Sequence, residues 1–378
     1  MYNKIKWTIM TLLLGLSLTG CWDYIGIDEM TIVTGIAIDK NQQTQNYELT
    51  FETISLMEST KEEGFKTKLI EATGKNLLDT IRNAKKRVVD KLYFSDMKTI
   101  VISNEIAKTE GIGAIINALI GDAEIREKTN IIISQEETAK QILNAKGIDN
   151  PSTAYEVRKI IDNDNDVTSS TKPLFLYEAF NTLREPGASL VAPAFHLVKN
   201  DDIITPELNG IGVFKDDKLI YYIDSIDSKY FLFIADKVNG GVISLSTDNS
   251  GKDNIALKIS ENRTSKKYSY NNNKIKIEIT TITKVDLHDA SDRLKAVGKK
   301  EIDEAEKKAE SLIVKNIKQL VAKAQKEINT DIFGFGNLVY RHDPLLWKKL
   351  KNNWDEVFME IELDVTSKVK VMNTGFTK

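Results

Sequence analysis

Residues 358–372 read FMEIELDVTSKVKVM, and apolar side chains alternate there with charged or hydroxyl-bearing ones. From Met359 to Val371, every odd-numbered residue except Ser367 is apolar and every even-numbered residue is polar. A period of two is typical of a β-strand with one buried face and one solvated face. We therefore predict a strand whose odd-numbered residues face the core.

The longest helical pattern in the chain precedes this strand, at residues 299–329. Its apolar residues recur with an average spacing of about 3.7 residues, which exceeds the spacing of about 3.5 in a left-handed coiled coil. The pattern therefore favours a helix that packs on a sheet. The apolar positions are Ile302, Ala305, Ala309, Ile313, Ile317, Leu320, Ala324 and Ile328.

Several strand-like segments lie between residue 207 and this helix. Antiparallel sheets are the kind that commonly leave one face solvated. We therefore predict that residues 207–378 form an antiparallel sheet with the long helix packed across it. The segments are 207–214, 218–224, 240–246, 254–260 and 274–287.

The first half of the chain alternates strand and helix patterns. Residues 31–39 and 47–55 predict an antiparallel hairpin around the turn-rich sequence KNQQTQN. The segments that follow indicate a mixed α/β domain over residues 31–165, with residues 166–206 as a boundary or a middle-domain segment. The predicted fold class of the whole chain is α+β. The alternating segments are 75–90, 99–103, 112–120, 130–134 and 136–146.

A polar stretch at residues 162–172, DNDNDVTSSTK, lacks periodicity and predicts a loop or a subdomain boundary. Its carboxylates Asp162, Asp164 and Asp166 are two residues apart, which raises the alternative of a calcium site. The stretch lacks the glycine and the later glutamate of an EF-hand loop. A solvated loop is the favoured interpretation.

The sequence contains no evident catalytic or cofactor-binding motif. His196, His288 and His342 lie far apart, and none has another His or Cys at the short spacing of a zinc site. There is no G-x-S-x-G elbow and no P-loop, and the Gly-Phe-Gly of residues 334–336 lacks the third glycine of a dinucleotide fingerprint. We interpret residues 334–336 as a turn and expect no enzyme activity, metal or cofactor.

The N-terminus has the layout of a secretory signal. Lys4 and Lys6 precede an uncharged run at residues 7–18, and two small residues then lead into Cys21, the sole cysteine. A run of twelve apolar residues is too short for a bilayer core, which needs about 20 helical residues. We expect residues 1–20 to be a signal peptide.

Cys21 has two interpretations. A free cysteine is often buried as a small hydrophobic residue. An apolar residue, two small residues and then Cys are, however, similar to the lipobox of bacterial lipoproteins, in which the thiol is diacylglycerylated. We expect Cys21 to carry lipid, residues 21–30 to be a tether, and the chain to be held at a membrane, because two acyl chains give stable anchoring.

Charge and composition exclude other classes. The chain has 52 Lys and Arg against 55 Asp and Glu, and loss of Lys4 and Lys6 with the signal leaves 50 against 55. Without a basic excess, a nucleic-acid partner is not expected. The charged fraction of 28% and hydrophobic fraction of 41% are those of a globular protein.

Three stretches together resemble one family, the Ger(x)C lipoproteins that form the C component of nutrient germinant receptors in spore-forming bacteria. The first is Gly-Cys-Trp-Asp at residues 20–23, leading to IVTGIAID. The second comprises KRVVDKLYFSDMKTIVIS and AEIREKTNIIIS. The third, residues 331–375, is the most specific. Its matching residues are Gly334, Gly336, Pro344, Trp347, Trp354, Phe358 and Gly375.

The resemblance implies a non-enzymatic subunit that works beside two integral-membrane receptor subunits, on the outer face of the spore inner membrane. It implies three small mixed α/β domains in a row, a membrane anchor through lipid on Cys21, and no small-molecule ligand. Two positions depart from the family pattern. Residues 24–26 are Tyr-Ile-Gly where the family commonly has Arg-Arg-Glu, and Asp96 replaces a frequent His.

Trp347 and Trp354 are seven residues apart, a spacing that would place both on one face of a helix. We favour a core role over a role as partner hot spots.

Two other classes compete with the receptor subunit. An exported solute-binding lipoprotein of an importer would need two α/β lobes around a ligand cleft, and the predicted antiparallel second half argues against it. An exported hydrolase or foldase would need a nucleophile and base, which the sequence does not display.

Overall fold

The computed structural model describes residues 2–17, 26, 29–55, 66–246, 254–289 and 298–373. Within these residues the chain forms two β-sheets, helices that pack against both, and one long helix near the C-terminus. The predicted mixture of helix and strand is confirmed. The helices are α1 (Tyr2–Ser17), α2 (Leu77–Ala84), α3 (Asn104–Thr109), α4 (Gly113–Ile120), α5 (Ala139–Asn144), α6 (Thr153–Val167), α7 (Leu176–Thr182), α8 (Ser225–Ala235), α9 (Lys299–Lys323), α10 (Phe335–His342), α11 (Pro344–Leu350) and α12 (Trp354–Met359).

The first sheet has the strand order β3-β2-β1-β5-β6-β7-β8-β9, and β4 also pairs with β1. Parallel pairing joins β1, β5, β6 and β7, whereas the two ends of the sheet are antiparallel. The predicted hairpin at residues 31–55 is confirmed as β1 and β2. The strands are β1 (Met30–Lys40), β2 (Tyr47–Ser55), β3 (Thr67–Gly74), β4 (Lys91–Tyr93), β5 (Thr99–Ile102), β6 (Asn130–Ser134), β7 (Val191–Asn200), β8 (Ile203–Lys215) and β9 (Lys218–Ile223).

Helices cover both faces of the first sheet. Ile131 and Ile133 of β6 pack in a core with α2, α3, α4 and α7, whereas Ile132 packs on the opposite side with α5 and α6. A central parallel strand buried on both faces requires a continuous apolar run rather than an alternating one. The sequence Ile-Ile-Ile in β6 meets that requirement.

The second sheet has the order β10-β11-β12-β13, formed by β10 (Val242–Ser246), β11 (Asn254–Asn271), β12 (Lys274–Asp289) and β13 (Glu362–Asn373). Its predicted antiparallel pairing is correct for the first three strands and wrong for the last, because β13 runs parallel to β12. Helices α9 to α12 carry the chain back along the sheet before β13 begins, so β13 repeats the direction of β12. Alternating polarity reports which face is buried and does not report the direction of a neighbouring strand.

The long helix packs on this sheet, as predicted. Ala309, Ile313 and Ile317 of α9 are buried, and one π-helical turn at residues 324–328 extends the helix to the predicted end. In β13, Val365 and Val369 are buried, Leu363 and Val371 are half-buried, and the even-numbered residues are exposed. The predicted strand begins too early, since Met359 ends α12 and is 43% exposed.

The change to strands that begins at Glu207 does not end the first sheet. Glu207 lies inside β8, the first sheet continues to Ile223, and the second sheet begins at Val242. Helix α8 follows β9, and its residues share one hydrophobic core with β8, β9, α9 and the second sheet. The two sheets are therefore joined by a common core. The domain limits at residues 165 and 207 stay predictions.

Candidate functional site

The predicted lipid site, Cys21, lies outside the residues that the structure describes, so its modification stays a prediction. Helix α1 covers most of the apolar run that precedes it. Among the described residues, no helix combines the length and the hydropathy needed to cross a bilayer.

The acidic row at residues 162–166 is helical, so the predicted loop is wrong for these residues, and its three carboxylates do not converge. These residues form the last turns of α6, where successive residues are rotated by about 100°, so Asp164 points away from Asp162 and Asp166. Asp164 is buried and accepts hydrogen bonds from the backbone N–H groups of Ser170 (2.8 Å) and Thr171 (2.7 Å). Its role is to hold the segment that leaves the helix. In the described part of the chain, no three His, Cys, Asp or Glu side chains are grouped to hold a metal ion.

The histidines have separate local partners. His196 Nε2 lies 3.3 Å from Glu207 Oε1, and His342 Nδ1 lies 2.9 Å from the carbonyl oxygen of Leu338. The side chain of His288 lies outside the described residues.

The third resembling stretch folds around one buried carboxylate, Asp331. Asp331 Oδ1 accepts a hydrogen bond from the N–H of Phe333 (3.1 Å), and Oδ2 accepts from the N–H of Gly336 (2.7 Å) and from Trp354 Nε1 (3.1 Å). We call Asp331, Phe333, Gly336 and Trp354 the Asp331 cluster. Burial raises the pKa of Asp331, although the three hydrogen bonds oppose that shift. The acid is surrounded by donors and organises the loop before α10.

The turn predicted at residues 334–336 lies slightly earlier, at residues 332–333, because Phe335 and Gly336 already begin α10. Gly334 has a φ of +70°, a left-handed conformation that favours glycine, and α10 begins at the next residue. Phe335 is fully buried and packs against Phe333 and Phe358.

Trp347 and Trp354 pack against each other with ring centroids 5.2 Å apart, and each is 8% exposed. The favoured core role agrees with this burial. Their predicted position on one helix face is wrong, because Trp347 belongs to α11 and Trp354 begins α12.

The Asp331 cluster contacts a loop of the first half of the chain. Asn337 donates from its backbone N–H to the carbonyl of Gly187 (2.9 Å) and from Nδ2 to Glu185 Oε1 (2.9 Å). A Cβ added to Gly187 would lie 2.5 Å from the carbonyl carbon of Gly336. Arg341 adds an ion pair to Glu185 at 2.6 Å. The two halves are thus in close contact at a position that requires glycine.

A second buried carboxylate, Glu52, joins β2 to the start of α6. It accepts hydrogen bonds from the hydroxyls of Thr34 and Ser152 (2.6 Å each) and from the backbone N–H groups of Thr153 (2.6 Å) and Ala154 (3.1 Å). Burial raises its pKa and these bonds oppose the shift. A carboxylate with this many donors is held in place, which suits a structural connection better than proton transfer to a substrate.

Asp96, which departs from the family pattern, forms a polar contact between the turn before β5 and α6. It accepts from Lys98 Nζ at 2.5 Å and from the hydroxyl of Tyr155. Burial acts to raise the pKa of Asp96, but the hydrogen bonds from Lys98 and Tyr155 lower it overall.

A cleft of about 1140 Å³ lies between α6, the β7–β8 hairpin and the start of α8. Three exposed aliphatic residues, Ile148, Val167 and Ile226, line it. Its buried acid Glu156 accepts three backbone N–H bonds, from residues 148–150. The one buried side-chain oxygen without a partner among the described residues, Thr171 Oγ1, does not line it. The buried acid of the cleft is therefore engaged within the fold, and the exposed polar residues Lys159, Asn163 and Lys199 also line the cleft.

Sequence reasoning missed Asp331, Glu185, Gly187 and Glu52. The one available signal was Asp331 itself, the only acid in the apolar run DIFGFG. The contact between Gly187 and Asn337 joins residues far apart in the chain and has no local pattern.

Comparison with known proteins gives matches along nearly the whole chain. Residues 23–197 match the family described as spore germination protein N-terminal domain, and residues 209–375 match spore germination B3/GerAC like, C-terminal. Among curated proteins, the chain is similar to two from Bacillus subtilis (strain 168). Spore germination protein B3 is 24% identical over 99% of both chains, and spore germination protein A3 is 28% identical over 95% of both. The crystal structure of the GerBC protein shares the fold, with a TM-score of 0.61 and 20% identity over 90% of this chain and 97% of that one.

Proposed function

The chain belongs to the GerAC-like family of spore germination proteins, and we propose that it is a lipid-anchored, non-enzymatic subunit of a nutrient germinant receptor. In this proposal it is required for germination through assembly with two integral-membrane subunits. The observation that carries the proposal is the match of two germination family profiles, which together extend from residue 23 to residue 375.

The chemistry of the described residues supports a non-enzymatic role. The buried acids Asp331, Glu52 and Asp164 are each enclosed by hydrogen-bond donors within the fold. Catalytic acids and bases need a free position next to a substrate. These groups act instead as internal connections that hold loops and helices in place.

The proposed location is the outer face of the spore inner membrane, with the lipid on Cys21 as the anchor. A charged start, a short apolar run and small residues before the sole cysteine support this proposal. A diacylglyceryl group supplies the two acyl chains that stable anchoring needs.

Affinity isolation from spore membranes tests the assembly. A tagged chain, extracted in mild detergent, should co-isolate with two multipass membrane proteins, and deletion of its gene should abolish the response to at least one nutrient. A matched strain that carries the untagged gene controls for adventitious binding. Isolation of the chain without membrane proteins, together with normal germination of the deletion strain, would contradict the proposal.

The cleft beside α6 is the one observation that favours the alternative, an exported solute-binding lipoprotein. Titration calorimetry with amino acids, sugars and nucleosides separates the two functions, and we expect no saturable heat. A saturable millimolar or tighter signal that Ile226→Asp abolishes would favour solute binding, because Ile226 lines the cleft and is 77% exposed.

A further inference from the structure

The outer side of α11 combines one exposed leucine with lysines. Leu345 is 76% exposed, and Lys348 and Lys349 follow it at i+3 and i+4, so the three side chains share one side of the helix. The opposite side is fixed to the protein, because Leu346 and Trp347 are buried. Helix α11 therefore presents a firmly supported surface of one aliphatic and two cationic side chains.

The positive charge of this surface is not neutralised within the fold. Lys348, Lys349 and the exposed Lys351 have no ion-pair partner among the described residues. The acid in the same segment, Asp343, caps α11 by accepting the N–H of Leu346 at 2.9 Å. The next acids lie in α12 or follow it: Asp355 pairs with Lys215 at 2.6 Å, and Glu356 and Glu360 are exposed. A local excess of positive charge thus stands out in a chain whose formal net charge is −3.

We propose that α11 contacts an anionic lipid surface, with Leu345 entering the headgroup layer and Lys348, Lys349 and Lys351 binding lipid phosphates. Lysine stems can lie along apolar surface while their ammonium groups reach the headgroups. Each lysine close to an anionic surface strengthens binding by about fivefold. An unpaired cationic side with one projecting leucine complements the negative charge of such a surface, and the proposed lipid on Cys21 would hold the chain beside it. The inference rests on the proposed membrane location and does not require the receptor subunits.

A site-specific fluorescence measurement tests the contact in the full chain. Cys21→Ser removes the native thiol, and Asn352→Cys places a polarity-sensitive fluorophore on the exposed residue seven positions after Leu345. A second protein carries the probe at Lys308→Cys, on the exposed side of α9, as the control position. Both are titrated with phosphatidylcholine vesicles that contain or lack phosphatidylglycerol and that carry brominated lipid as a quencher.

We expect quenching at residue 352 and not at residue 308, in vesicles with phosphatidylglycerol only. The quenching at residue 352 should disappear in about 1 M NaCl, because the electrostatic screening length is then about 3 Å and the lysines no longer attract the lipid phosphates. Reversal of the three lysines (K348E, K349E, K351E) should weaken the association reported at residue 352 by on the order of a hundredfold.

Reversal of three exposed lysines near or on α9 (K315E, K318E, K326E) changes net charge equally and should leave the signal at residue 352 unchanged. Equal melting temperatures of both triple variants and the parent would show that the fold is intact.

Equal quenching at residues 352 and 308, or quenching insensitive to reversal of Lys348, Lys349 and Lys351, would overturn the proposal. Absence of vesicle contact, combined with loss of a co-isolated membrane subunit in K348E/K349E/K351E, would assign this surface to an acidic protein and also overturn it. Failure to co-isolate any membrane subunit, with normal quenching at residue 352, would count against the receptor and leave this contact standing.

Discussion

Trp354 donates a hydrogen bond from its indole Nε1 to Oδ2 of Asp331 across 3.1 Å, and both side chains are buried. The same carboxylate accepts the N–H of Gly336, so one acid joins the loop before α10 to the first turn of α12. A buried carboxylate is costly unless donors surround it, and a substitution that replaces one of its oxygens by a fixed donor group leaves two donors facing each other. Substitutions in the Asp331 cluster should therefore lower the stability of the second half of the chain.

Asp331→Asn should destabilise the protein by about 1–3 kcal/mol, because the new amide NH₂ would face a backbone or indole donor. Asp343→Asn is the matched control, since Asp343 caps α11 at a half-buried site and Asn is an equally good N-cap residue. The free energy of unfolding of both variants can be measured by urea denaturation. Equal losses in the two variants would contradict a special role for Asp331.

The effect of Asp331 should also depend on pH. Burial raises its folded-state pKa above the usual 3.8, so the folded protein keeps a proton that the unfolded chain has released. Stability from this group is therefore complete below about pH 4 and is lost as the pH rises through the folded-state pKa. Burial also raises the pKa of Glu52 and of Asp39, so both groups add to the pH dependence of the wild type. Since both groups are also present in Asp331→Asn, the difference in unfolding free energy between the two proteins reports Asp331 alone. That difference in unfolding free energy should shrink from pH 4 upward, and a difference that grows would show that hydrogen bonding outweighs burial.

Two glycines with the same backbone conformation separate strain from packing. Gly187 and Gly334 have φ values of +69° and +70°. A Cβ at Gly334 has its nearest neighbour at 3.9 Å, whereas a Cβ at Gly187 would lie 2.5 Å from the Gly336 backbone. Both Ala variants should lose about 1–2 kcal/mol through backbone strain, and Gly187→Ala should lose about 1–3 kcal/mol more through overlap. Thermal melting measures the difference, and equal melting temperatures would mean that the loop moves away at no cost.

The sequence allowed the burial of β13 to be predicted but not its place in the sheet. Val365 and Val369 face the core because a period of two is a local property of the chain. The parallel pairing of Ile279 with Val365 depends on the path of α9 to α12 between the strands, which no local pattern records. A polar run was likewise ambiguous at Asp164, since a solvated loop and the end of an amphipathic helix can share the same composition.

The residues of the candidate sites were likewise predictable where the sequence signal is local and not where tertiary packing sets the contact. A turn near residues 334–336 was predictable, because glycine spacing is a local signal, but its position at residues 332–333, directly before α10, was not. The contact of Glu185 with Asn337 joins two loops across the fold and follows from tertiary packing alone.

Cys21→Ala should yield a protein that is uncleaved or released from the membrane, because the lipid supplies the anchor and the apolar run of residues 7–18 is too short to replace it. Fractionation of spores followed by a salt wash of the membranes measures the change. Trp22→Ala, which keeps the cysteine, is the adjacent control and should stay in the membrane fraction. Normal amounts of Cys21→Ala on the washed membrane would refute the lipid anchor.

Two neighbouring residues at the start of β13 test the architecture of the second half. Ile361 is 5% exposed, and the carbonyl oxygen of this residue accepts a hydrogen bond from Gln325 Nε2 at 3.0 Å. Ile361→Asp would bury a carboxylate without a partner, at a cost of several kcal/mol whether it ionises or takes up a proton. A domain with a total stability of about 5–15 kcal/mol has little reserve against that loss.

Glu362, the next residue, points to solvent with a side chain that is 61% exposed and has Lys274 at 3.9 Å. Glu362→Lys should therefore change the unfolding free energy by no more than about 0.5 kcal/mol. Lower germination at an unchanged melting temperature would identify the solvated face of the second sheet as a partner surface, whereas normal germination would leave it as a solvated face. Because Ile361 and Glu362 are adjacent and face opposite sides, equal melting temperatures for Ile361→Asp and wild type would mean that the facing of β13 against α9 is wrong.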